Sequence, residues 1–280
     1  MEIGVDFKNI ISYNENMAKG IADKLFFLNK INFNKDDSYL FVDFGCADGV
    51  LLDNLYNIFS SKGIHAYYIG YDLSNTMIEL AKTKFNHADS SNVLFTSSWP
   101  EVEKKVKSYS AMKSVLILSS VIHEVYSYAE SNDDVDLFWH RVLNTGFNYI
   151  CIRDMMVSKD VNHTPDVDIF QFEENNMPHF SDIRNYLRDF ETHWGRINDN
   201  KNFIHYLLKY RWTLNWEREV RENYLPIYLE DLLDKFNTKY NISYLERFRV
   251  PFLEKCWKDE FGIEIKDYTH IKTIFELKRN

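Results

Sequence analysis

Short apolar runs and amphipathic helical patterns alternate along this chain. The first clear run, Tyr39–Phe44, is dominated by aromatic and β-branched residues, which is typical of a strand buried on both faces. A helical spacing of apolar residues resumes at residues 50–56. Between them stand Gly45 and Gly49, which give the backbone the freedom that a tight turn needs. The pattern therefore predicts a strand, a glycine loop and a helix.

The alternation continues to the end of the chain. Further buried-strand patterns lie at residues 65–71, 92–96, 114–119, 147–153, 242–250 and 270–277. Helical patterns lie at residues 17–29, 77–85, 134–143, 183–190, 203–216 and 228–236. Thr76 and Glu79 have the spacing of a capping box for the helix that follows them. Strands that alternate with helices predict an α/β fold with a parallel sheet.

Composition narrows the class of protein. Of 280 residues, 45% are hydrophobic, which is ample for a packed core. The formal charge of −9 disfavours a broad electrostatic grip on nucleic acid. The 3 cysteines have no paired spacing, which indicates reduced thiols and no zinc site. Since the sequence shows no leader pattern and no apolar stretch of membrane length, we expect a cytoplasmic protein with no membrane partner.

The second strand pattern ends at an acidic residue, Asp72. In a Rossmann-like site, an acid at the tip of the strand that follows a glycine loop receives the hydroxyl groups of a ribose. The helix that starts after the loop also points its backbone N–H groups at the ligand. The loop and the acid together predict that the protein binds a nucleoside.

These residues also resemble a known family. Val42-Asp43-Phe44-Gly45-Cys46-Ala47-Asp48-Gly49 is similar to the first motif of the class I S-adenosylmethionine-dependent methyltransferases, although Ala47 replaces the middle glycine of that loop. Gly70-Tyr71-Asp72-Leu73-Ser74-Asn75-Thr76-Met77-Ile78 is similar to the second motif. The resemblance implies S-adenosylmethionine as the cofactor, with Asp72 on both ribose hydroxyls. The cofactor contacts it implies are Asp43, Gly45, Cys46, Ala47, Gly49, Asp72, Leu73 and Met77.

The third strand departs from the family pattern at its carboxyl end. The family often places an acid there, to bind the adenine amino group, whereas this chain has Ser97, Ser98 and Trp99. We expect either Ser97 or Ser98, through a hydroxyl or backbone group, or stacking by Trp99, to contact the base. An ordinary turn between strand and loop would also explain these residues.

The fourth strand pattern ends at Ser119 and is followed by His123 and Glu124. Ligands of open parallel sheets bind outside the carboxyl ends of the strands, so this tip should face the transferable methyl group, with Ser119 near the cofactor. A histidine titrates near neutral pH and can take a proton from a hydroxyl or amine. His123 and Glu124 are therefore candidate catalytic residues; alternatively, His123 is structural.

Candidate acceptor-binding residues follow the fifth strand. Asp154 stands at its carboxyl end beside Arg153, where the two side chains either contact the acceptor or form an ion pair with each other. Further along, bases and aromatics interleave from Lys201 to Trp212, which can stack on bases and bind phosphates. The predicted acceptor contacts are Asp154, His205, Arg211, Trp216 and Arg218. Alternatively, this stretch is an amphipathic helix whose arginines pair with Glu217, Glu219 and Glu222.

The fold expected from these patterns is a three-layer α/β sandwich. Its centre is a seven-stranded, mostly parallel Rossmann-like sheet, which the resemblance to methyltransferases closes with an antiparallel pair. Residues 1–156 form the cofactor-binding core with an N-terminal covering helix, in which Tyr13 and Met17 are candidates to roof the pocket. Residues 157–225 form a helical insertion or lid, and residues 226–280 complete the core.

The function implied is direct methyl transfer from S-adenosylmethionine to a small molecule or metabolite, with no metal required. One alternative is a methyltransferase that acts on RNA or another nucleic acid, which only the basic and aromatic residues of the lid favour. A further alternative is a nucleotide-binding, methyltransferase-like module that has lost its activity. An NAD enzyme is disfavoured because the chain lacks a Gly-x-Gly-x-x-Gly loop.

Overall fold

A computed structural model describes residues 20–85, 87, 91–176 and 183–279. Within the predicted N-terminal helix at residues 17–29, the described residues form α1 (Ile21–Lys24) and a 3₁₀ helix at Phe26–Asn29. Apolar residues of this segment pack on the core beside the central strands. The proposed roofing residues Tyr13 and Met17 lie outside the described residues.

The strands form one sheet of seven strands in the order β3-β2-β1-β4-β5-β7-β6. They are β1 (Tyr39–Phe44), β2 (Ala66–Tyr71), β3 (Val93–Thr96), β4 (Lys113–Ser119), β5 (Tyr149–Met155), β6 (Tyr240–Phe248) and β7 (His270–Leu277). The first five run parallel, and β7 lies antiparallel between β5 and β6. The predicted seven-stranded, mostly parallel sheet with an antiparallel closing pair is confirmed.

Helices connect the strands and cover both faces of the sheet. After α1 they are α2 (Val50–Ser61), α3 (Asn75–Lys84), α4 (Trp99–Ser108), α5 (Ile122–Tyr128), α6 (Asn132–Asn144), α7 (Ile169–Asn176), α8 (Ile183–Trp194), α9 (Asn200–Lys209), α10 (Trp216–Glu219), α11 (Leu229–Phe236) and α12 (Pro251–Phe261). Within the described ranges, none of them is long and apolar enough to span a bilayer. The sequence pattern did not predict α4, α5, α7 or α12.

The register of the central strands brings their loops to one edge. Phe44, the last residue of β1, lies beside Tyr71 of β2 and Leu118 of β4. All of β1 and β2 is buried, because helices cover both faces of the sheet. The loops that follow β1, β2 and β4 therefore leave the sheet side by side, at the edge where ligands of open α/β sheets bind.

The insertion between β5 and α11 has its own apolar core. This core unites α7, α8 and α9 with Trp257 of α12, which donates a hydrogen bond from Nε1 to the carbonyl oxygen of Leu207. The insertion returns to the sheet at Tyr228, which forms a parallel bridge with Val157. The chain between these two residues thus packs chiefly on itself and on α12.

Two local predictions were wrong. The expected helix over residues 203–216 is interrupted, since α9 ends at Lys209 and a 3₁₀ helix at Thr213–Asn215 precedes α10. The capping box of Thr76 and Glu79 does not form. Instead, Ser74 caps α3, because its side-chain oxygen accepts a hydrogen bond from the backbone N–H of Met77.

Candidate active site

Backbone strain marks one edge of the sheet. Among the described residues, the non-glycine residues with positive φ are Ala47 at 46° and Ser120 at 58°. They follow β1 and β4, which are neighbours at the centre of the sheet. Such conformations cost on the order of 1–3 kcal/mol each and persist only where the surrounding structure enforces them. Strain at two adjacent strand ends points to this edge as the functional site.

The glycine loop is fixed against both neighbouring strands. The backbone N–H groups of Gly45 and Cys46 donate to the carbonyl oxygen of Tyr71, at 2.8 and 3.0 Å. Gly45 has a φ of 76°, and a Cβ added there would lie 2.9 Å from the Val121 side chain. The loop therefore requires glycine at this position for both its conformation and its close approach to the chain after β4.

Asp72 joins the second strand to this loop. One carboxylate oxygen accepts from the Ala47 N–H at 2.9 Å, and the other accepts from the Ser74 N–H at 2.9 Å. Burial raises the pKa of Asp72, while these two backbone hydrogen bonds oppose the increase. Each oxygen keeps a second lone pair, so the carboxylate can still accept two hydroxyl groups. The geometry fits a ribose.

A buried acid and a buried base lie beneath the loop. Burial raises the pKa of Asp43 to about 7, an effect that Lys24 opposes and Asp72 reinforces. Burial also lowers the pKa of Lys24, against the attraction of Asp43. The helix that carries Lys24 is anchored by its neighbour Asp23, which pairs with Arg153 at 2.9 Å and with Lys272 at 2.5 Å.

The residues predicted near the adenine differ in their surroundings. Trp99 is 2% exposed and packs against Phe44 and Tyr71, so the prediction that it stacks on a base is wrong. Trp99 is the first residue of α4, and its ring belongs to the apolar core that this helix forms with the sheet. Ser97 donates from Oγ to Asn75 at 2.7 Å, and Ser98 is exposed.

The other residues predicted around the cofactor fall on the same edge. Leu73 is 78% exposed beside Asp72, and Met77 is half-buried in the first turn of α3. Cys46 is buried in the glycine loop. At the tip of β4, the Ser119 Oγ is buried and has no hydrogen-bond partner within the described part of the chain. An orphaned hydroxyl at this point suits a polar ligand group.

His123 and Asp154 form a buried pair across the tips of β4 and β5. His123 Nδ1 lies 2.8 Å from one Asp154 oxygen, and the other oxygen accepts from the Ile122 N–H at 2.8 Å. An ionised carboxylate can only accept, so Nδ1 carries the proton and Nε2 presents a lone pair. Burial lowers the pKa of His123, but Asp154, helped by Glu124 and Glu222, outweighs it, and the pKa is raised.

Arg153 and Asp154 do not pair with each other, so that alternative is wrong. Arg153 donates to Asp23 and to the Ser120 Oγ, at 2.9 and 3.1 Å. Asp154 is fully buried on the histidine, where it also accepts from the Met155 N–H at 2.8 Å. The Asp154 side chain therefore orients His123 and is shielded from direct contact with an acceptor.

A charged cluster connects His123 to the insertion. Arg218 donates from Nε to Glu222 at 2.7 Å and to the Tyr128 hydroxyl at 3.0 Å, and its Nη2 lies 3.4 Å from Glu124. Tyr128 also donates to Glu222. Burial raises the pKa of Glu124 to about 7, an effect that Glu222 adds to and His123 and Arg218 oppose. Arg218 and Glu124 thus meet beside the proposed base.

The other predicted acceptor residues, His205, Trp216 and Arg211, use their polar groups to bind other parts of the insertion or α12. His205 is buried, and its Nε2 accepts from the Tyr224 N–H at 3.1 Å. Trp216 is buried and donates to Asp189 at 2.8 Å. Arg211 pairs with Glu260 of α12. The alternating basic and aromatic residues from Lys201 onward therefore serve mainly to pack the insertion. For example, the Lys201 Nζ lies 4.5 Å from the centre of the Tyr228 ring.

Sequence reasoning missed several residues at this edge. Lys24, Tyr128, Glu222 and Tyr224 were given no role at the site, yet each lies beside a predicted site residue. Pairing of Glu222 with an arginine is the alternative given above for this stretch, and Arg218 forms that ion pair. Lys24 and Glu222 are buried by tertiary contacts, so no local sequence pattern marks them.

Neither a family model nor a curated protein matches the sequence. Solved structures do match. An S-adenosylmethionine-dependent methyltransferase from Mesorhizobium loti is 10% identical with a TM-score of 0.43, over 87% of this chain and 93% of its own. The mycolic acid cyclopropane synthase CmaA1, solved with SAH and CTAB, is 11% identical with a TM-score of 0.44, over 92% and 84%.

A pericyclic reaction enzyme is 8% identical with a TM-score of 0.43, and the match covers 92% of this chain and 47% of that enzyme. This chain therefore spans about half the length of that protein. A structure titled as a putative S-adenosylmethionine-dependent methyltransferase from Listeria monocytogenes also matches, at 14% identity and a TM-score of 0.46, over 92% of this chain and 99% of its own. At such low similarity we take no substrate and no residue role from them.

Proposed function

We propose that this protein transfers a methyl group from S-adenosylmethionine to a small-molecule acceptor. The observation that carries the proposal is the Asp72 carboxylate, which is hydrogen-bonded to the strained Ala47 of the glycine loop on the edge that also holds His123 and Asp154. Asp72 would hold the ribose hydroxyls, the residues from Gly45 to Gly49 the methionine part, and Ser119 a polar group near the methyl.

When bound, the cofactor supplies an activated methyl group on a positively charged sulfur. The protein's own task is then to align an acceptor with that methyl and to remove a proton from it. His123 would take the proton at Nε2, while Asp154 holds Nδ1–H and stabilises the resulting imidazolium. The raised pKa of His123 makes it a stronger base, and activity should increase as the pH rises through that pKa.

The surroundings of His123 favour a small acceptor over RNA. His123 is 6% exposed, and its ring packs edge to face with the Tyr224 ring, with 5.3 Å between ring centres. Lys209 is buried, and Arg211 and Arg218 are paired with glutamates, so these cations are not arrayed for phosphates. We propose that residues 157–225 act as a lid that excludes large acceptors from this base.

The test is transfer of label from methyl-labelled S-adenosylmethionine into a cell extract separated into small-molecule and RNA fractions. We expect label in the small-molecule fraction, and a loss of roughly a hundredfold with His123→Ala, because general-base catalysis contributes about that much or more. His140→Ala, which changes an exposed histidine of α6, is the matched control and should retain activity. Label in RNA alone, or a fully active His123→Ala enzyme, would refute the acceptor class or the base respectively.

A further inference from the structure

One face of α9 carries two buried polar side chains, His205 and Lys209. They are four residues apart, which places them one above the other on the helix. His205 is 3% exposed and Lys209 is 0% exposed. Since buried polar groups are costly unless they are hydrogen-bonded, their partners indicate what the two residues do.

Both side chains hold the same stretch of backbone, residues 219–224. His205 Nε2 accepts from the N–H of Tyr224 at 3.1 Å. Lys209 donates from Nζ to the carbonyl oxygens of Glu219 and Glu222, and its Nζ lies 3.8 Å from the centre of the Tyr224 ring. Beyond Glu219 this stretch has no regular helix or strand, so its backbone groups depend on side chains for hydrogen bonds.

The opposite side of residues 219–224 lies on α5, the helix that carries His123. The N–H of Asn223 donates to the Ser127 Oγ at 2.7 Å, and Ser127 in turn donates to the carbonyl oxygen of His123 at 2.6 Å. Glu222 accepts from Tyr128, and the Tyr224 ring stands over His123. The stretch is therefore fixed between α9 on one side and the proposed base on the other.

We propose that His205 and Lys209 are positioning residues, which hold residues 219–224 in place as the wall of the acceptor site over His123. The proposal rests on the proposed function for the identity of the site. The holding itself depends only on the contacts described. It replaces the expectation that His205 binds the acceptor, because the His205 side chain is 3% exposed and its Nε2 accepts from the Tyr224 N–H.

The test uses variants that remove or retain each contact. His205→Leu removes the acceptor for the Tyr224 N–H, whereas His205→Gln keeps a side-chain oxygen that can accept it. Lys209→Met keeps the length of the side chain and removes its donors. Lys201→Met is the matched control, since it makes the same replacement at a half-exposed lysine of α9 whose Nζ lies over the Tyr228 ring.

Two measurements report directly on how firmly residues 219–224 are held over His123. They are the hydrogen-exchange rates of the Asn223 and Tyr224 amides, and the rate at which diethyl pyrocarbonate acylates His123. In His205→Leu and Lys209→Met we expect both to rise at least about tenfold, which is the effect of losing one hydrogen bond to a buried or charged group. His205→Gln should restore rates near those of the wild type, and Lys201→Met should change neither.

Wild-type rates in folded His205→Leu and Lys209→Met would overturn the proposal, as would an equal rise in Lys201→Met. If Lys209→Met does not fold, the comparison of His205→Leu with His205→Gln decides alone. S-adenosylmethionine binding by calorimetry, measured on the same proteins, should be unchanged in the variants. Absence of binding by the wild type would remove the proposed function and leave the exchange result standing, so the two failures are distinguishable.

Discussion

The carboxyl groups of Asp43 and Glu124 hold their protons more tightly in the folded chain than an exposed acid does. Burial raises the pKa of each to about 7. In an unfolded chain the corresponding values are about 3.9 and 4.3. Between those values and 7 the folded state binds more protons than the unfolded state, so stability falls as the pH rises and levels off above 7.

We predict that Asp43→Asn reduces this pH dependence. The buried Asp43 carboxyl contributes a slope of up to about 1.4 kcal/mol per pH unit to the free energy of unfolding, and the asparagine has no proton to lose. Urea unfolding at pH 5.5, 6.5 and 7.5 measures the slope in the wild type and the variant. Asp36→Asn, an exposed acid before β1, is the control and should leave the slope unchanged. Parallel slopes for wild type and Asp43→Asn would show that Asp43 is ionised in the folded protein.

The sequence was enough to place site residues that directly follow a strand. It was not enough to place residues that approach the site only through tertiary contacts. Asp72 follows from an acid placed directly after a buried strand, and its carboxylate accepts a hydrogen bond from the glycine loop. Lys24 and Glu222 approach the site from segments remote in sequence, and no local pattern could place them there. The sequence pattern did not show whether the Trp99 side chain points into the core or toward the ligand edge, and the structure places it in the core.

At the scale of elements, Ser74 decides where α3 begins. Its Oγ accepts from the Met77 N–H at 3.3 Å, whereas Thr76 lies inside the helix and is exposed. We predict that Ser74→Ala lowers the free energy of unfolding by about 1 kcal/mol, the usual cost of losing a cap. Thr76→Ala should be neutral or slightly stabilising, since alanine is the better helix former. Thermal or urea unfolding measures both variants. Equal losses of unfolding free energy in Ser74→Ala and Thr76→Ala would contradict this prediction and support a capping box of Thr76 and Glu79.

The strands were predictable to within about two residues because buried β-branched and aromatic runs are short and bounded by breakers. Helix α9 was predicted too long at its carboxyl end. The pattern of apolar residues continues past Lys209, but the Trp212 N–H donates to the Lys209 carbonyl and the chain turns there. Tertiary contacts, namely those of Lys209 with residues 219–224, accompany the turn, and such contacts are not visible in a local pattern.

At the scale of the whole molecule, the sheet and the insertion contribute different parts of the proposed site. The loops after β1, β2 and β4 carry the residues assigned to the cofactor, and the insertion covers the base through Tyr224 and Arg218. The alternation of strands and helices was enough to predict the sheet. The internal core of the insertion, shared with α12, was not predictable because α12 is separated from it by β6.

The measurement that tests the central claim most directly is calorimetric titration of S-adenosylmethionine into the wild type and Asp72→Ala. We predict that the wild type binds and that the variant loses at least about tenfold in affinity, because two hydroxyl hydrogen bonds to a carboxylate, worth roughly 1.5–3 kcal/mol each, disappear. Glu79→Ala, which removes an exposed acid of α3, should bind like the wild type. No binding by the folded wild type, or equal affinities for wild type and Asp72→Ala, would contradict the account.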